Sequence, residues 1–301
     1  MSLSGARKKV VSGSELQAEA DHPLTVQPLA AGQEAEVLAY LASRPVHTVF
    51  MAGFVRDNGL ESPLNRGTFY ACRDRAGRLE GLALIGHATL VETDNEGALA
   101  AFARLTRDCP TARMILGEQQ KAEDFWSYYR QGDQAPRLVS REQLLVQRWP
   151  LAVRPSVPEI RLATPEDLPL IVSINAQMMI EEFGTDPMVT DPVGFQQRCL
   201  RRIEQRRVWL WREKDRLVFK AEVLADTPEA TYLAAVYVHP AERGKGYALR
   251  GLSQLGQSLL ARSGAICLLV DEENRQAQAL YQKAGFKLQG YYSAIHLQGQ
   301  Q

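Results

Sequence analysis

The stretch Val236 to Ala248, VYVHPAERGKGYA, restricts more than any other how this chain can fold. An apolar, β-favouring run stops at Pro240, which has no N–H with which to continue a ladder. Gly244 and Gly246 then permit the positive φ of a tight turn, and Leu252, Leu255, Leu259 and Leu260 follow at helical spacing. The expected unit is strand, loop and helix, with unpaired backbone N–H groups gathered at the helix N-terminus. Such a cradle suits a phosphate, because amides and helix dipole both favour negative charge there. Arg243 and Lys245 add positive charge at the same place. An ordinary turn with a solvated Arg and Lys reads the same way in isolation, so the flanking elements must decide.

Downstream, Gly264 stops the helix and Ala265 to Val270 (AICLLV) reads as a buried strand. A short helix then runs from Asn274 as N-cap to Gly285 as stop, with Ala277, Leu280, Tyr281 and Ala284 on one face. A dinucleotide fold is disfavoured: Gly244, Gly246 and Gly251 do not give G-x-G-x-x-G, and no G-x-x-x-x-G-K-S/T occurs. Tyr232 to Phe286 resembles the core of the GNAT superfamily of acyl-CoA-dependent N-acyltransferases, whose loop reads Q/R-x-x-G-x-G/A. Arg243, Gly246 and Ala248 fill its defined positions, and Asn274, Ala277, Tyr281, Gly285 and Phe286 match the family's next motif.

The resemblance implies two strands, Tyr232 to Val238 and Ala265 to Val270, that splay apart around the pantetheine arm of coenzyme A. Backbone groups of Tyr237 and Val238 would pair with that arm. The N–H groups of Arg243, Gly244, Lys245, Gly246, Tyr247 and Ala248 would hold the pyrophosphate, and Asn274 would touch the arm or orient the last helix. The implied reaction moves an acetyl group from acetyl-CoA to a primary amine, of a small molecule or a protein, in a ternary complex. The amine must first lose a proton, the developing oxyanion needs a donor such as the Val238 N–H, and the departing thiolate needs an acid, for which Tyr281 is placed. Glu222, in the strand Arg216 to Leu224, is the candidate base. Glu181 and Glu182, at the end of the helix Glu166 to Phe183, are alternatives, and each of the three also reads as an ordinary solvated acid. Lys220 reads as a surface strand residue ahead of a ligand contact. An acyl-CoA-binding regulatory or scaffold protein without turnover is the alternative function.

Thirty-five basic and 35 acidic residues balance, so nothing points to nucleic acid or an anionic membrane. No apolar run approaches the ~18 residues of a membrane span, and the polar N-terminus lacks a secretory core, which makes the cytoplasm the expected compartment. Cys72, Cys109, Cys199 and Cys267 lack C-x-x-C spacing, and the five histidines lack paired ligand spacing, so no metal is expected. Cys267 reads as a small buried hydrophobe ahead of a nucleophile, and His239 as a solvent-facing residue ahead of a cofactor contact. A homodimer is an open option.

At 301 residues the chain is long for one such core. The periodicity predicts a mobile leader (1–23), a first unit (24–148), a stiff Pro-containing linker (149–158) and a second unit (159–301), with the order strand, helix, helix, strands, helix, strand, helix, strand in both. The expected fold class is α+β: two tandem GNAT-like domains, each a mostly antiparallel mixed sheet flanked by helices, with splayed strands in the C-terminal copy. In the first copy His87 to Gly97 replaces the glycine loop with acidic residues that repel a pyrophosphate. That copy is expected to be degenerate and non-catalytic, either walling the acceptor site or purely structural.

Overall fold

The computed structural model describes residues 24–151, 159–213 and 216–298; the expected leader and the linker segment 152–158 lie outside the described residues. The first half runs β1 (Thr25–Pro28), α1 (Glu34–Leu41), α2 (Val49–Asn58), β2 (Gly67–Arg73), β3 (Leu79–Gly86), β4 (Ala88–Thr93), α3 (Glu96–Arg107), β5 (Met114–Glu118), α4 (Gln119–Tyr129) and β6 (Leu138–Gln147). The second runs β7 (Ile160–Leu162), α5 (Leu168–Phe183), α6 (Pro187–Thr190), α7 (Pro192–Glu204), β8 (Val208–Glu213), β9 (Arg216–Asp226), β10 (Thr231–Val238), α8 (Tyr247–Leu260), β11 (Ile266–Asp271), α9 (Arg275–Lys283) and β12 (Lys287–His296).

Among the described residues twelve strands form one mixed sheet in the order β1-β2-β3-β4-β5-β12-β6-β11-β10-β9-β8-β7. The two halves exchange their last strands. β12 pairs antiparallel with β5, Ile295 opposite Ile115, while β6 pairs antiparallel with β11, Leu145 opposite Leu268. The exchanged strands also pair with each other along Lys287–His296 and Leu138–Val146, so the sheet is continuous through its centre. Strands can swap in this way because their buried faces are interchangeable: Leu144, Leu145 and Val146 of β6 and Ala294 and Ile295 of β12 are all under a tenth exposed.

Helices cover both faces, and one of them crosses between halves. Gly53 on α2 lies against β9, where an added Cβ would stand 2.8 Å from the Cβ of Ala225, so only glycine allows the approach. Beside it Phe50 packs on Tyr232 of β10 with ring centroids 4.2 Å apart, and Asp57 accepts both guanidinium N–H groups of Arg207 at 2.5 and 2.8 Å. Val49, Val146, Ala225, Tyr232 and Cys267 accordingly belong to one apolar cluster that draws on both halves.

One element departs from the sequence reading. Ala88 to Thr93, expected within a loop, is the strand β4, with Glu92 only 5% exposed in it. A carboxylate there obscures the apolar pattern of a buried strand, and tertiary partners make it tolerable: Arg44 lies 2.9 Å from Glu92 and Lys121 3.4 Å.

Candidate active site

The site begins where two parallel strands separate. β10 and β11 pair only at Thr231–Ile266 and Tyr232–Cys267, after which the β10 edge facing β11 has no strand partner. The side chain of Tyr232 closes the apex, its hydroxyl accepting the N–H of Leu269 at 3.2 Å. On its other edge β10 is irregular against β9 between Ala234 and Tyr237, and Ala235 there adopts φ +47°, unusual for a residue with a Cβ. Between the separated strands lies a cavity of about 810 Å³ lined by Tyr232 to Val236, Leu268 to Asp271, Asn274, Ala277 and Tyr281.

Glu222 and Lys220 stand behind that bulge and not in the cavity. Both are fully buried, 2.8 Å apart, and Lys220 Nζ donates to the Ala235 carbonyl at 3.1 Å. Arg202 approaches the Glu222 carboxylate at 2.9 Å, and Asn175 donates to it at 2.7 Å. Although burial works the other way, Lys220 and Arg202 bring the Glu222 carboxyl down to about 2. The expectation that Glu222 is the base is thus corrected: it is sealed from the acceptor and held ionised by two cations. Lys220, expected on the surface, is the other half of the same prop. Their mutual neutralisation was not legible in the sequence without the partners Arg202 and Asn175.

The other end of β10 leads to the glycine loop. Pro240–Glu242 forms a turn of 3-10 helix capped by His239, whose Nδ1 accepts the Ala241 N–H at 3.2 Å, so His239 caps the turn. Gly244 and Gly246 have φ of +78° and +83°, the left-handed region that glycine alone enters freely, and Gly246 is the N-cap of α8. Among the described residues, the backbone N–H groups of Gly244, Lys245, Gly246, Tyr247, Ala248 and Leu249 have no backbone partner; that of Arg243 bonds to Pro240 O at 3.3 Å. The loop side chains contribute less than the sequence suggested. Lys245 pairs with Glu242 at 2.9 Å, Arg243 Nε reaches back to the Val238 carbonyl at 3.4 Å, and the Tyr247 hydroxyl donates to Glu213 at 2.7 Å. Arg250, one turn further on, stacks over Trp211 and Tyr247 at 4.7 and 5.0 Å, a cation the sequence reading passed over.

Tyr281 lines the cavity from α9, edge-on to Phe286, and burial followed by the charge of Glu182 raises its phenol well above the ordinary range. Asn274 also lines it and caps α9, accepting the Ala277 N–H at 3.0 Å. Tyr237 and Val238 lie one step beyond the cavity toward the loop, the Tyr237 ring packing against the core beneath α5 and α7. Cys267 is buried and its thiol is pushed up to about 12, which rules it out as a thiolate nucleophile near neutral pH.

The first half contributes to this cavity directly. Phe50 of α2, Met114 and Leu116 of β5 and Ser140 and Glu142 of β6 line it alongside Met178, Glu181 and Glu182 of α5. Glu142 is the residue sequence reasoning missed. Its carboxyl is raised to about 7, first by burial and then by the negative charges of Glu182 and Asp271, its ladder neighbour on β11. The sequence carried no signal for it: in LVSREQLLVQ the acid stands in the polar stretch Ser140 to Gln143, of a half that lacks the glycine loop.

The equivalent place in the first half is built differently. β4 and β5 pair at Ala88–Met114 to Leu90–Leu116 and then part, but Arg44 spans the gap from Glu92 to Glu118 at 2.9 and 2.6 Å. Only Asp94 and Asn95 separate β4 from α3, against eight residues between β10 and α8, and Asn95 caps the helix by accepting the Ala98 N–H at 3.1 Å. No glycine-lined loop is present to receive a phosphate. Among the described residues, none of the helices is long and apolar enough to cross a membrane, and no group of three or more His, Cys, Asp or Glu is placed to hold a metal.

Comparison with known proteins agrees with this architecture. Residues 172–286 match the model of the acetyltransferase (GNAT) family, a span that holds β10, the glycine loop and α9. A GNAT-family acetyltransferase from Colwellia psychrerythraea superposes with a TM-score of 0.58 at 13% identity, covering 91% of this chain and 100% of that one. A tandem GNAT protein from the clavulanic acid biosynthesis pathway gives 0.56 at 14% identity, covering 93% and 100%. A GCN5-related N-acetyltransferase from Sphaerobacter thermophilus gives 0.54 at 15%, covering 91% and 95%. Among curated proteins none matches. The likeness at these identities is one of fold and extends over both halves, while the family match rests on the half with the open cleft and the free amides. Residues 172–286 thus carry a segment of the acetyltransferase (GNAT) type, which makes the protein an acyltransferase.

Proposed function

We propose that the protein transfers an acetyl group from acetyl-CoA to a primary amine by direct attack in a ternary complex. The observation that carries this reading is the continuity of one strand edge. β10 runs from the cavity holding Tyr281, past the unpaired backbone at Leu233 to Val238, to the free amides of Gly244 to Leu249. A long ligand with an anionic end and an extended amide-containing arm fits that track: N–H groups at a helix N-terminus take the phosphates, and an open strand edge takes the amides.

Bound there, acetyl-CoA supplies the acyl group as a thioester. The backbone N–H groups along β10 stabilise negative charge developing on the carbonyl oxygen, and Val238 remains the expected donor. Tyr281, its phenol kept protonated by burial, donates a proton to the sulfur as the C–S bond breaks. Met178 of α5 and Phe50 of α2, both lining the cavity, exclude water from the reacting carbonyl.

The test is release of free thiol from acetyl-CoA across polyamines, amino acids, aminoglycosides and lysine peptides. Turnover with at least one amine is expected. Saturable binding of coenzyme A with no thiol release on any acceptor would favour a cofactor-binding protein without turnover, and no binding at all would remove the reading.

A further inference from the structure

We propose that Glu142, on the strand that the N-terminal half inserts into the C-terminal half, is the general base that deprotonates the amine acceptor. The inference rests on the acyl-transfer reading above and assigns a group that the GNAT-like segment 172–286 does not itself contain.

Position supports it first. β6 lies next to β11 on the side away from β10, and Glu142 sits opposite Asp271 at the open end of that pair. It lines the cavity from β6, within reach of the charge of Glu182 on α5, and shares that cavity with Tyr281. Acid and base then approach the reacting carbonyl from different elements, as an attack on one side and a departure on the other require.

Availability is the second argument. Glu222 is consumed by Lys220, Arg202 and Asn175, and Glu181 accepts from Gln177 at 2.8 Å. Glu142 has neither a hydrogen bond nor an ion pair among the described residues, and no Lys, Arg or His lines the cavity to neutralise it. The charged and titratable groups that share the cavity with it are Glu181 and Glu182 on α5, Asp271 on β11, Glu273 just beyond it and the phenols of Tyr232 and Tyr281, while Tyr292 of β12 is its opposite neighbour in the ladder. All are acids, so the group is held near neutrality by burial and by like charge. Glu182 and Asp271 also draw the acceptor in as its ammonium, the form that needs a base.

The step balances. Glu142 takes one proton from the ammonium, which frees the nitrogen lone pair. The C–N bond forms as the C–S bond breaks, and the electron pair leaving on sulfur takes the Tyr281 proton. The remaining surplus proton on nitrogen returns to the Tyr281 oxygen through water. Glu142 then gives its proton to solvent, and the products are an amide, a free thiol and one proton.

Glu142→Gln tests this. With an alkylamine acceptor from the panel at pH 7.5, kcat should fall by about 100-fold or more, while affinity for coenzyme A stays unchanged. With hydroxylamine, which is already neutral at that pH, the loss should be no more than a few-fold. In the unsubstituted protein kcat/KM should rise with pH through about 7, and the variant should lack that limb. An equal loss with both acceptors at constant cofactor affinity would mean a structural role and overturn the proposal, as would a silent substitution. Coenzyme A binding with no amine turned over would overturn the acyl-transfer reading and this proposal with it; where an amine is turned over, an NMR titration of labelled glutamate that places the Glu142 carboxyl in the ordinary carboxylate range would overturn the proposal alone. Failure of coenzyme A to bind the unsubstituted protein would instead overturn the acyl-transfer reading itself.

Discussion

At the scale of single residues the site depends on backbone conformation as much as on side chains. Gly246 is the sharpest case. Space does not forbid a side chain there, since nothing lies within 4 Å of its would-be Cβ, but φ of +83° does. Gly246→Glu combines that strain with a carboxylate among free amides, and coenzyme A binding measured by calorimetry should be lost; unchanged affinity would move the phosphate site elsewhere. Tyr281→Phe removes one hydroxyl without altering the packing against Phe286, so binding should persist while kcat drops by about 100-fold. A silent Tyr281→Phe would return that ring to a packing role. Both residues were legible in the sequence because their signals are local: a glycine at a helix start, and a tyrosine about two turns after the N-cap Asn274. Glu142 carries no local signal, as nothing in the strand around it reveals which cavity it meets.

At the scale of elements the decisive feature is the irregularity in β10 and the buried ion pair behind it. Lys220 and Glu222 occupy inward positions of β9, and Lys220 bonds the carbonyl of Ala235, the residue whose positive φ marks the bulge. Glu222→Gln leaves Lys220 and Arg202 without their anion, and the urea midpoint at pH 7 should fall by an amount corresponding to about 3–5 kcal/mol. The pH dependence has a definite sign. The folded carboxyl is depressed from 4.5 to about 2, so its contribution is complete above 4.5 and is lost as pH falls from there through about 2. The variant should show a flatter acid limb than the unsubstituted protein in that window; parallel limbs would mean the pair is not what stabilises the bulge. Element order, and the boundaries of most elements of the first half, followed from periodicity and caps. β4 did not, since Glu92 and Thr93 broke its apolar run and their partners, Arg44 on one side and the Glu80 carbonyl on the other, are remote in sequence.

At the scale of the whole molecule, two similar halves form one sheet and have unequal clefts. Coenzyme A should bind with a stoichiometry of one per chain, because the first cleft is spanned by Arg44 and has a two-residue loop. A second site of comparable affinity would contradict this. The strand exchange makes a further prediction. Residues 152–301 expressed alone lack β6, leave one edge of β11 unpaired and carry β12 without either of its neighbours, so they should show no cooperative thermal transition. Co-expression with residues 1–151 should restore both the transition and activity, whereas a cooperative transition of the isolated second half would show that the exchange is dispensable. By itself the sequence determined what depends on neighbours along the chain: the phosphate-type loop, the capped helices, the position of Tyr281 and the repeated order of elements. Tertiary structure alone decided which strands lie side by side, and with it that the cavity is walled by both halves and that Glu142, a carboxylate of that wall, comes from the half without a glycine loop. Sheet pairing joins segments more than a hundred residues apart, such as β6 and β11, through backbone groups that every sequence shares, so no local pattern specifies the partner.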